Sequence, residues 1–359
     1  MSTISVTRKD GGAGQTPENA TGAGFPDIHT TFDLLGFNSI RKVSTIAAVT
    51  FKEMIRHPIF SIVLFLGSII IYASPWFSMF TLLNSSKLVR DMGLASILLS
   101  AIFIAAFSAS GLVFREIENK TAVTILSKPV FRIEFILGKY LGLISGILLA
   151  VFQLTLVVIL TMRIGVPDTA SVVMDKPVLY TVNTLFFVSM GWSVMMNYFF
   201  EKPFTSTLVI TFVTLLTAGF FMLCVISPEW SVQPFGKYFD FALFRAGVLI
   251  FFAMAILTSL ALLGSIKFNM LANLMFVLSI FFVSMTSDYF FGRFAETNAF
   301  ARVLYHLMPN LQFFWVADAF LNNQTIPSSY VVITGLYCLC CVSAALIISI
   351  ITFKGREIA

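Results

Sequence analysis

The sequence contains eight separate stretches of predominantly apolar residues, and these stretches limit the chain to one kind of fold. A helix needs about 20 such residues to cross the hydrocarbon core of a bilayer, where every backbone amide must find its hydrogen-bond partner inside the protein. We therefore expect transmembrane helices at residues 59–80, 92–114, 140–162, 179–200, 205–226, 242–264, 272–290 and 330–353. The seventh stretch is the shortest and follows the sixth closely, so eight crossings are expected and six remain possible.

The composition supports an integral membrane protein and argues against other classes. Only 11% of the 359 residues are charged and 58% are hydrophobic, whereas soluble domains carry about 25% charged residues. The net charge of +5 is too small for a nucleic-acid footprint. We expect an all-α protein whose surroundings are a lipid bilayer, with no nucleic acid among its partners.

The distribution of basic residues orients the predicted helices. With the N-terminus inside and eight crossings, the inside segments hold 15 Lys and Arg and the outside segments hold 8. Basic residues are enriched in cytoplasmic loops. We therefore expect a multi-pass protein of the cell membrane with both termini in the cytoplasm. The Gly- and Pro-rich stretch 1–37 then forms a flexible cytoplasmic tail, and residues 354–359 form a second tail.

Residues 38–57 show a helical period just before the first transmembrane stretch. One arc carries Val43, Ala47, Phe51 and Met54 and the other is basic, while Ile46 interrupts the pattern. Such a helix is typical of the membrane interface, where its basic face meets anionic head groups. The alternative is a helix that packs on the protein itself.

The segment 115–138, between the second and third predicted crossings, concentrates charge in a chain that otherwise avoids it. The sequence predicts a short helix from Arg115, a turn at Lys128-Pro129, and a second helix that starts near Phe131 and continues into the third crossing. A solvated loop would not need the apolar residues that lie between the charges. The expected structure is a charged, partly apolar coupling helix at the cytoplasmic surface.

This segment resembles the corresponding segment of ABC transporter permeases of the type-2 exporter family. Those permeases place an acidic pair, a Thr, a Pro, a basic residue and then Gly-Lys between the second and third helices, although Lys120 stands here where the family often has Gly. Weaker similarities are the helix before the first crossing, the tail FKGREIA and the stretch 305–314. The resemblance assigns contact with an ATPase subunit to Arg115, Glu116, Glu118, Lys120, Thr121, Pro129, Arg132, Glu134, Gly138 and Lys139.

The resemblance implies a permease, not an enzyme, in the bacterial cytoplasmic membrane. The chain contains no GxxxxGK[ST] phosphate loop, so ATP and Mg²⁺ would bind in a separate ATPase subunit and this chain would bind no cofactor. A second permease copy or a paralogue is the other expected partner. Because the family usually has six crossings, an additional pair is expected near the fifth to seventh.

Two further functions are alternatives to export. In one, ATPase-driven motion acts on a partner protein in envelope or copper-enzyme maturation without solute transport. Cys338 and Cys341 share a helix face and sulfur suits Cu(I), but thiols in apolar runs are more often packing residues, so no metal site is predicted. An ion-coupled carrier is disfavoured because the predicted helices lack central charges. The aromatic-rich outside segment 291–329 either closes the outer mouth of a pathway or forms an aromatic belt.

Overall fold

The computed structural model describes residues 28–78, 85–114, 131–164, 174–294, 302–303, 305, 308–316 and 326–356. Its helices are α1 Ile28–Arg56, α2 Pro58–Ser78, α3 Ser85–Ala109, α4 Arg132–Ile164, α5 Lys176–Phe200, α6 Phe204–Leu223, α7 Ala242–Ser265, α8 Met270–Met285, the one-turn α9 Ser287–Phe290, and α10 Ser328–Arg356. A π-helical turn, Ser110–Phe114, continues α3. Within the described residues the structure is all-α, with one isolated bridge between Ile226 and Val232.

Among the described residues, seven helices are long and apolar enough to cross a membrane: α2 to α7 and α10. The expected membrane-protein fold is therefore confirmed. The seventh predicted crossing, 272–290, differs from the sequence-based expectation. The chain there forms the 16-residue α8 and then bends by 64° into Ser287–Phe294, so an eighth crossing is counted only if this bent pair is one span.

The chain divides into two compact units, residues 1–41 and residues 42–359, and the boundary falls within α1. This helix begins at Ile28, inside the stretch 1–37 that the sequence suggested as a flexible tail. The glycines and prolines behind that expectation, except Gly36, all precede residue 28, and Phe32, Leu34 and Leu35 provide an apolar helical period after it. Residues 1–27 lie outside the described residues. All contacts below lie within the second unit.

Three long helices, α3, α4 and α7, form the buried centre of that unit. They approach closely because small residues stand at the contacts: a Cβ built on Gly93 of α3 would lie 2.9 Å from Val158 of α4. A Cβ built on Gly247 of α7 would lie 2.6 Å from Thr155 of α4. Small residues let helix backbones approach closely where lipid gives no hydrophobic driving force between helices.

The helices α7 and α10 run side by side in the same direction. Arg245 near the start of α7 donates to the carbonyl of Ile326, two residues before α10 begins. Seven residues further along α7, the carbonyl of Phe252 accepts a hydrogen bond of 3.3 Å from the thiol of Cys338, which lies twelve residues after Ile326. Two parallel neighbours need an odd number of crossings between them in the chain, so this geometry bears directly on the role of α8.

The helix α8 runs back along α7 but stops before reaching its far end. Asn273 near its start donates to the carbonyl of Ala261 at 3.1 Å, and Met285 at its end lies beside Ile250. With a rise of 1.5 Å per residue, α8 covers about 24 Å against about 36 Å for α7. Residues that follow α8 in the chain pack beside its end, where the N–H of Leu311 donates to the carbonyl of Ser284 at 3.3 Å.

The helix bundle has two ends, which we call the α1 end, where α1 stops, and the opposite end. At the α1 end, Thr205 at the start of α6 donates to the carbonyl of Arg56 at 2.8 Å. At the opposite end, Arg90 near the start of α3 lies 3.7 Å from the carboxylate of Asp240.

A peripheral hairpin of α5 and α6 packs mainly on itself. Gly219 of α6 faces Leu185 of α5, whereas most of the α5 surface is exposed. Among the described candidate spans, the least buried consecutive pair is therefore the fourth and fifth along the chain.

Candidate functional site

The helix α4 begins with the only part of the predicted coupling segment that the structure describes. Residues Arg132, Glu134, Gly138 and Lys139 form its first two turns, which confirms that a helix starting near Phe131 continues into the third crossing. The remaining predicted coupling residues, Arg115, Glu116, Glu118, Lys120, Thr121 and Pro129, lie outside the described residues.

The first turn of α4 is closed by its own carboxylate. Oε2 of Glu134 accepts a hydrogen bond from the backbone N–H of Phe131 at 2.9 Å. A glutamate three residues after the N-cap reaches back in this way in a capping box, where it satisfies an amide that the helix leaves without a partner. The same oxygen lies 3.8 Å from Nζ of Lys42 in α1, so Glu134 also joins the two helices.

Along the next three turns, α4 presents a glycine stripe to α1. A Cβ on Gly138 would lie 2.7 Å from Ile46, and one on Gly142 would lie 2.7 Å from the carbonyl oxygen of Ala47. Gly146 meets Met54, which is fully buried. The helices α1 and α4 thus run in the same direction in contact over residues 138–146.

This packing changes the expected face of α1. Ile46, which interrupted the apolar arc in the sequence, lies on the contact face, and Thr50 on that face is fully buried. The helical pattern of apolar residues did not include these positions, because Ile46 and Thr50 face α4 through their closeness to Gly138 and Gly142 and not through a large apolar surface. Residues 43–54 pack on the protein itself, as in the alternative that the sequence left open.

A second ion pair joins α1 and α4 two turns further along. Lys139 is only 3% exposed, and its Nζ lies 4.0 Å from Oε2 of Glu53 and 5.8 Å from the centre of the Phe135 ring. Burying an ammonium group is costly unless a carboxylate or an aromatic face compensates it, so this pair fixes the register of the two helices. Phe135 also stacks on Phe353 near the end of α10, at 5.7 Å.

We call the assembly of residues 42–56, residues 131–146 and Phe353 the coupling base. It ties three helices together where the charged segment enters α4. One carboxylate oxygen, Oε1 of Glu134, is buried with no hydrogen-bond donor among the residues that the structure describes.

The other end of the charged segment leaves α3 through the π-helical turn Ser110–Phe114. Ser110 accepts a hydrogen bond of 2.7 Å from the buried side chain of Asn273 in α8. A π-turn widens the helix and leaves its hydrogen bonds less regular, and such turns are frequent at functional sites. Segment 115–130 is therefore flanked by an irregular turn on one side and by the coupling base on the other.

A buried ion pair at the opposite end escaped the sequence analysis. Nε of Arg163 donates to Oδ2 of Asp175 at 2.6 Å, and both side chains are almost fully buried. The guanidinium group also donates to the carbonyls of Leu223 and Ile226, at the end of α6, and lies 4.9 Å from the Phe239 ring centre. The signal available in the sequence was a charge directly after a predicted crossing with an opposite charge twelve residues later.

The predicted outer segment 291–329 is described in part, and residues 308–316 lie deep against the bundle. Asn310 donates from its backbone N–H to the Tyr337 hydroxyl at 2.9 Å and from its amide to Asp288 at 2.8 Å. The Tyr305 hydroxyl donates to the same carboxylate, which raises the pKa of Tyr305 above its usual value. Phe314 is buried within this part and therefore does not belong to a lipid-facing aromatic belt, whereas Phe313 beside it is exposed.

Two cavities border the α5–α6 hairpin. One, of about 190 Å³, lies among α2, α4, α5 and α6, is lined mainly by phenylalanines, and contains the hydrogen-bonded pair Asn183 and Tyr72 at 2.7 Å. The other, of about 430 Å³, lies at the α1 end between α1, α5 and α6. Its lining includes three basic side chains.

The four cysteines are unbridged thiols. Among the residues that the structure describes, no group of three His, Cys, Asp or Glu side chains could hold a metal ion. The sequence matches no protein-family model and no curated protein.

Proposed function

We propose that this chain is the membrane-spanning permease subunit of an ATP-driven exporter of the type-2 class, and that a separate ATPase subunit binds segment 115–138. The observation that carries the proposal is the coupling base. A force applied where the segment enters α4 acts on α1, α4 and α10 together, because buried Lys139, the glycine stripe and the Phe135–Phe353 stack join these helices. Packed helices that shift as rigid bodies convert a local event into a larger motion.

The two ends of the segment differ in how firmly they are packed, and this difference would decide which helices move. The π-turn at residues 110–114 has less regular hydrogen bonds than an α-helix, whereas the coupling base is held by close packing at the glycine stripe and by the buried Lys139. Closure of the ATPase would therefore move α4 together with α1 and α10, and the change in their position relative to α3 would be absorbed on the α3 side of the segment.

The proposed topology has eight crossings, with the α1 end in the cytoplasm. The parallel course of α7 and α10 supports a crossing by α8 between them, and an even number of crossings keeps both termini on one side. In a cysteine-free background, impermeant maleimide added outside should label cysteines at residues 86 and 328 and miss those at 127 and 355. Labelling of residue 127 from outside would refute this orientation.

The proposed partners are an ATPase subunit carrying ATP and Mg²⁺ and a second permease copy or a paralogue. The decisive experiment is a charge reversal in the segment, Glu116→Lys with Glu118→Lys. Like charges opposed at a partly desolvated interface cost several kcal/mol, so the permease should fold but no longer retain or stimulate its ATPase. A double substitution at Ser85 and Ser86 in the predicted outside loop is the matched control. Unchanged ATPase binding and unchanged ATP-dependent solute movement in vesicles would refute the proposal.

A further inference from the structure

We propose that the cavity of about 430 Å³ at the α1 end binds the head group of an anionic phospholipid. The cavity lies between the last turn of α1, the last turns of α5 and the first turns of α6. This inference stands on the cavity alone and does not depend on the proposed transport function.

The charge of the cavity selects an anion. Lys52 and Arg56 reach it from α1, and Lys202 reaches it from the turn between α5 and α6. None of the three forms an ion pair with a residue that the structure describes, and no Asp or Glu is among the lining residues. Glu201, the sequence neighbour of Lys202, is exposed and does not line the cavity. The lining therefore carries an excess of positive charge.

The backbone at the start of α6 adds to this preference. The residue before the helix is Pro203, whose side chain cannot cap it, and the hydroxyl of Thr207 donates back to the Pro203 carbonyl at 2.9 Å. The first-turn amides of this 20-residue helix thus have no side-chain cap and contribute the positive end of the helix dipole.

The helix ends that carry the cations are joined by a hydrogen bond. Thr205 donates to the carbonyl of Arg56 at 2.8 Å, and this bond ties the end of α1 to the start of α6. A ligand therefore does not have to bring the two helices together, which lowers the entropic cost of binding.

The apolar side of the cavity distinguishes a lipid from a free anion. Trp192 and Ile210 line it and are 45% and 49% exposed, on helices long and apolar enough to span a membrane. Tryptophan is enriched at the level of lipid head groups, and basic pockets between membrane helices suit phosphate-bearing heads. A molecule with a phosphate group and acyl chains satisfies both sides of the cavity.

The test titrates the delipidated full chain in detergent with phosphatidylglycerol or with phosphatidylcholine of identical acyl chains, and counts bound lipid by native mass spectrometry. Each basic residue near a membrane surface contributes about 1 kcal/mol, or about fivefold in affinity. Lys202→Gln should weaken phosphatidylglycerol binding by about fivefold, and the triple change of Lys52, Arg56 and Lys202 to Gln by roughly a hundredfold. Phosphatidylcholine binding should not change.

The matched control is Lys267→Gln, another exposed lysine in a turn at the α1 end but outside the cavity. It should leave phosphatidylglycerol binding unchanged. Thermal unfolding of each variant shows whether it is folded, and increasing salt should reduce the lipid preference of the unmodified chain in the same direction. Equal binding of the two lipids, or a preference that survives the triple substitution, would overturn the proposal. Displacement of the lipid by millimolar glycerol 3-phosphate would show a site for the free phosphate compound and would equally overturn it.

Discussion

Replacing Gly142 by alanine should separate α1 from α4 and weaken the coupling base. The added Cβ would lie 2.7 Å from the carbonyl oxygen of Ala47 and 2.5 Å from Cβ of Thr50. Ordinary van der Waals contact begins near 3.4 Å, so α1 must move outward by about 0.9 Å to clear Cβ of Thr50 and by about 0.7 Å to clear the Ala47 carbonyl. A backbone carbonyl in mid-helix cannot rotate away, and the whole helix has to move instead.

The cost follows from what that movement disturbs. A gap of 0.5–1 Å forfeits roughly a quarter to a half of each dispersion contact, and the contacts at Gly138 and Gly146 are on the same line. Nζ of Lys139 already lies 4.0 Å from Glu53, so further separation leaves a buried ammonium group with less compensation. Overpacking of this kind costs about 1–3 kcal/mol, which corresponds to a fall in Tm of roughly 2–6 °C.

The assay is thermal unfolding of the purified full chain in one detergent, with Gly191→Ala as the matched control. Gly191 lies in mid-helix on α5, and nothing would lie within 4 Å of its added Cβ. Alanine there should be neutral or slightly stabilising, because alanine favours helix over glycine by about 1 kcal/mol. If the two variants unfold at the same temperature, the close packing of α1 on α4 is refuted.

Two further changes test the ion pairs at the two ends of the bundle. Arg163→Met alone should lower the free energy of unfolding by about 3–5 kcal/mol, because it leaves the buried Asp175 carboxylate without its partner. In a denaturant titration, the double variant that also carries Asp175→Leu should be clearly more stable than Arg163→Met alone. At the coupling base, Glu53→Gln should leave ATPase binding intact but reduce stimulated ATP hydrolysis. Lys139→Met removes the buried charge itself and should therefore keep a higher Tm than Glu53→Gln. The reverse order of Tm values would count against a buried, compensated lysine.

The positions of the membrane helices were largely predictable because apolar length has one dominant physical meaning in a chain with so little charge. The start of α4 was also predictable, since Pro129 excludes a continuous helix and Phe131 begins an unbroken apolar period. The break after Met285 was not predictable in this way. Aromatic residues resume at Tyr289 and Phe290 after the short polar run Thr286-Ser287-Asp288, so hydropathy alone did not indicate a bend there. The structure adds that the N–H of Leu311 donates to the carbonyl of Ser284 beside the break.

The coupling base shows a different limit of sequence reasoning. Gly138, Gly142 and Gly146 are visible as a four-residue repeat, but nothing in the sequence states which helix approaches them. The burial of Lys139 was equally hidden, because a lysine beside a predicted crossing is ordinarily solvated. In the same way, Arg163 and Asp175 looked like loop charges and are instead a buried pair that holds α4, α5 and α6 together.

The peripheral position of the α5–α6 hairpin has a consequence for how this architecture can vary. Because Thr155 of α4 packs against Gly247 of α7, a short turn from α4 to α7 would keep the contacts among α3, α4 and α7, but it would remove the Asp175 carboxylate and the Leu223 carbonyl that compensate the buried Arg163. Gain or loss of the hairpin changes the number of crossings by two and leaves both termini on their original sides. The cavities of about 190 Å³ and 430 Å³ both border this hairpin, so the hairpin supplies part of the lining of each. Loss of the hairpin would therefore open both cavities and would require an uncharged residue in place of Arg163, whereas the contacts among α3, α4 and α7 would remain.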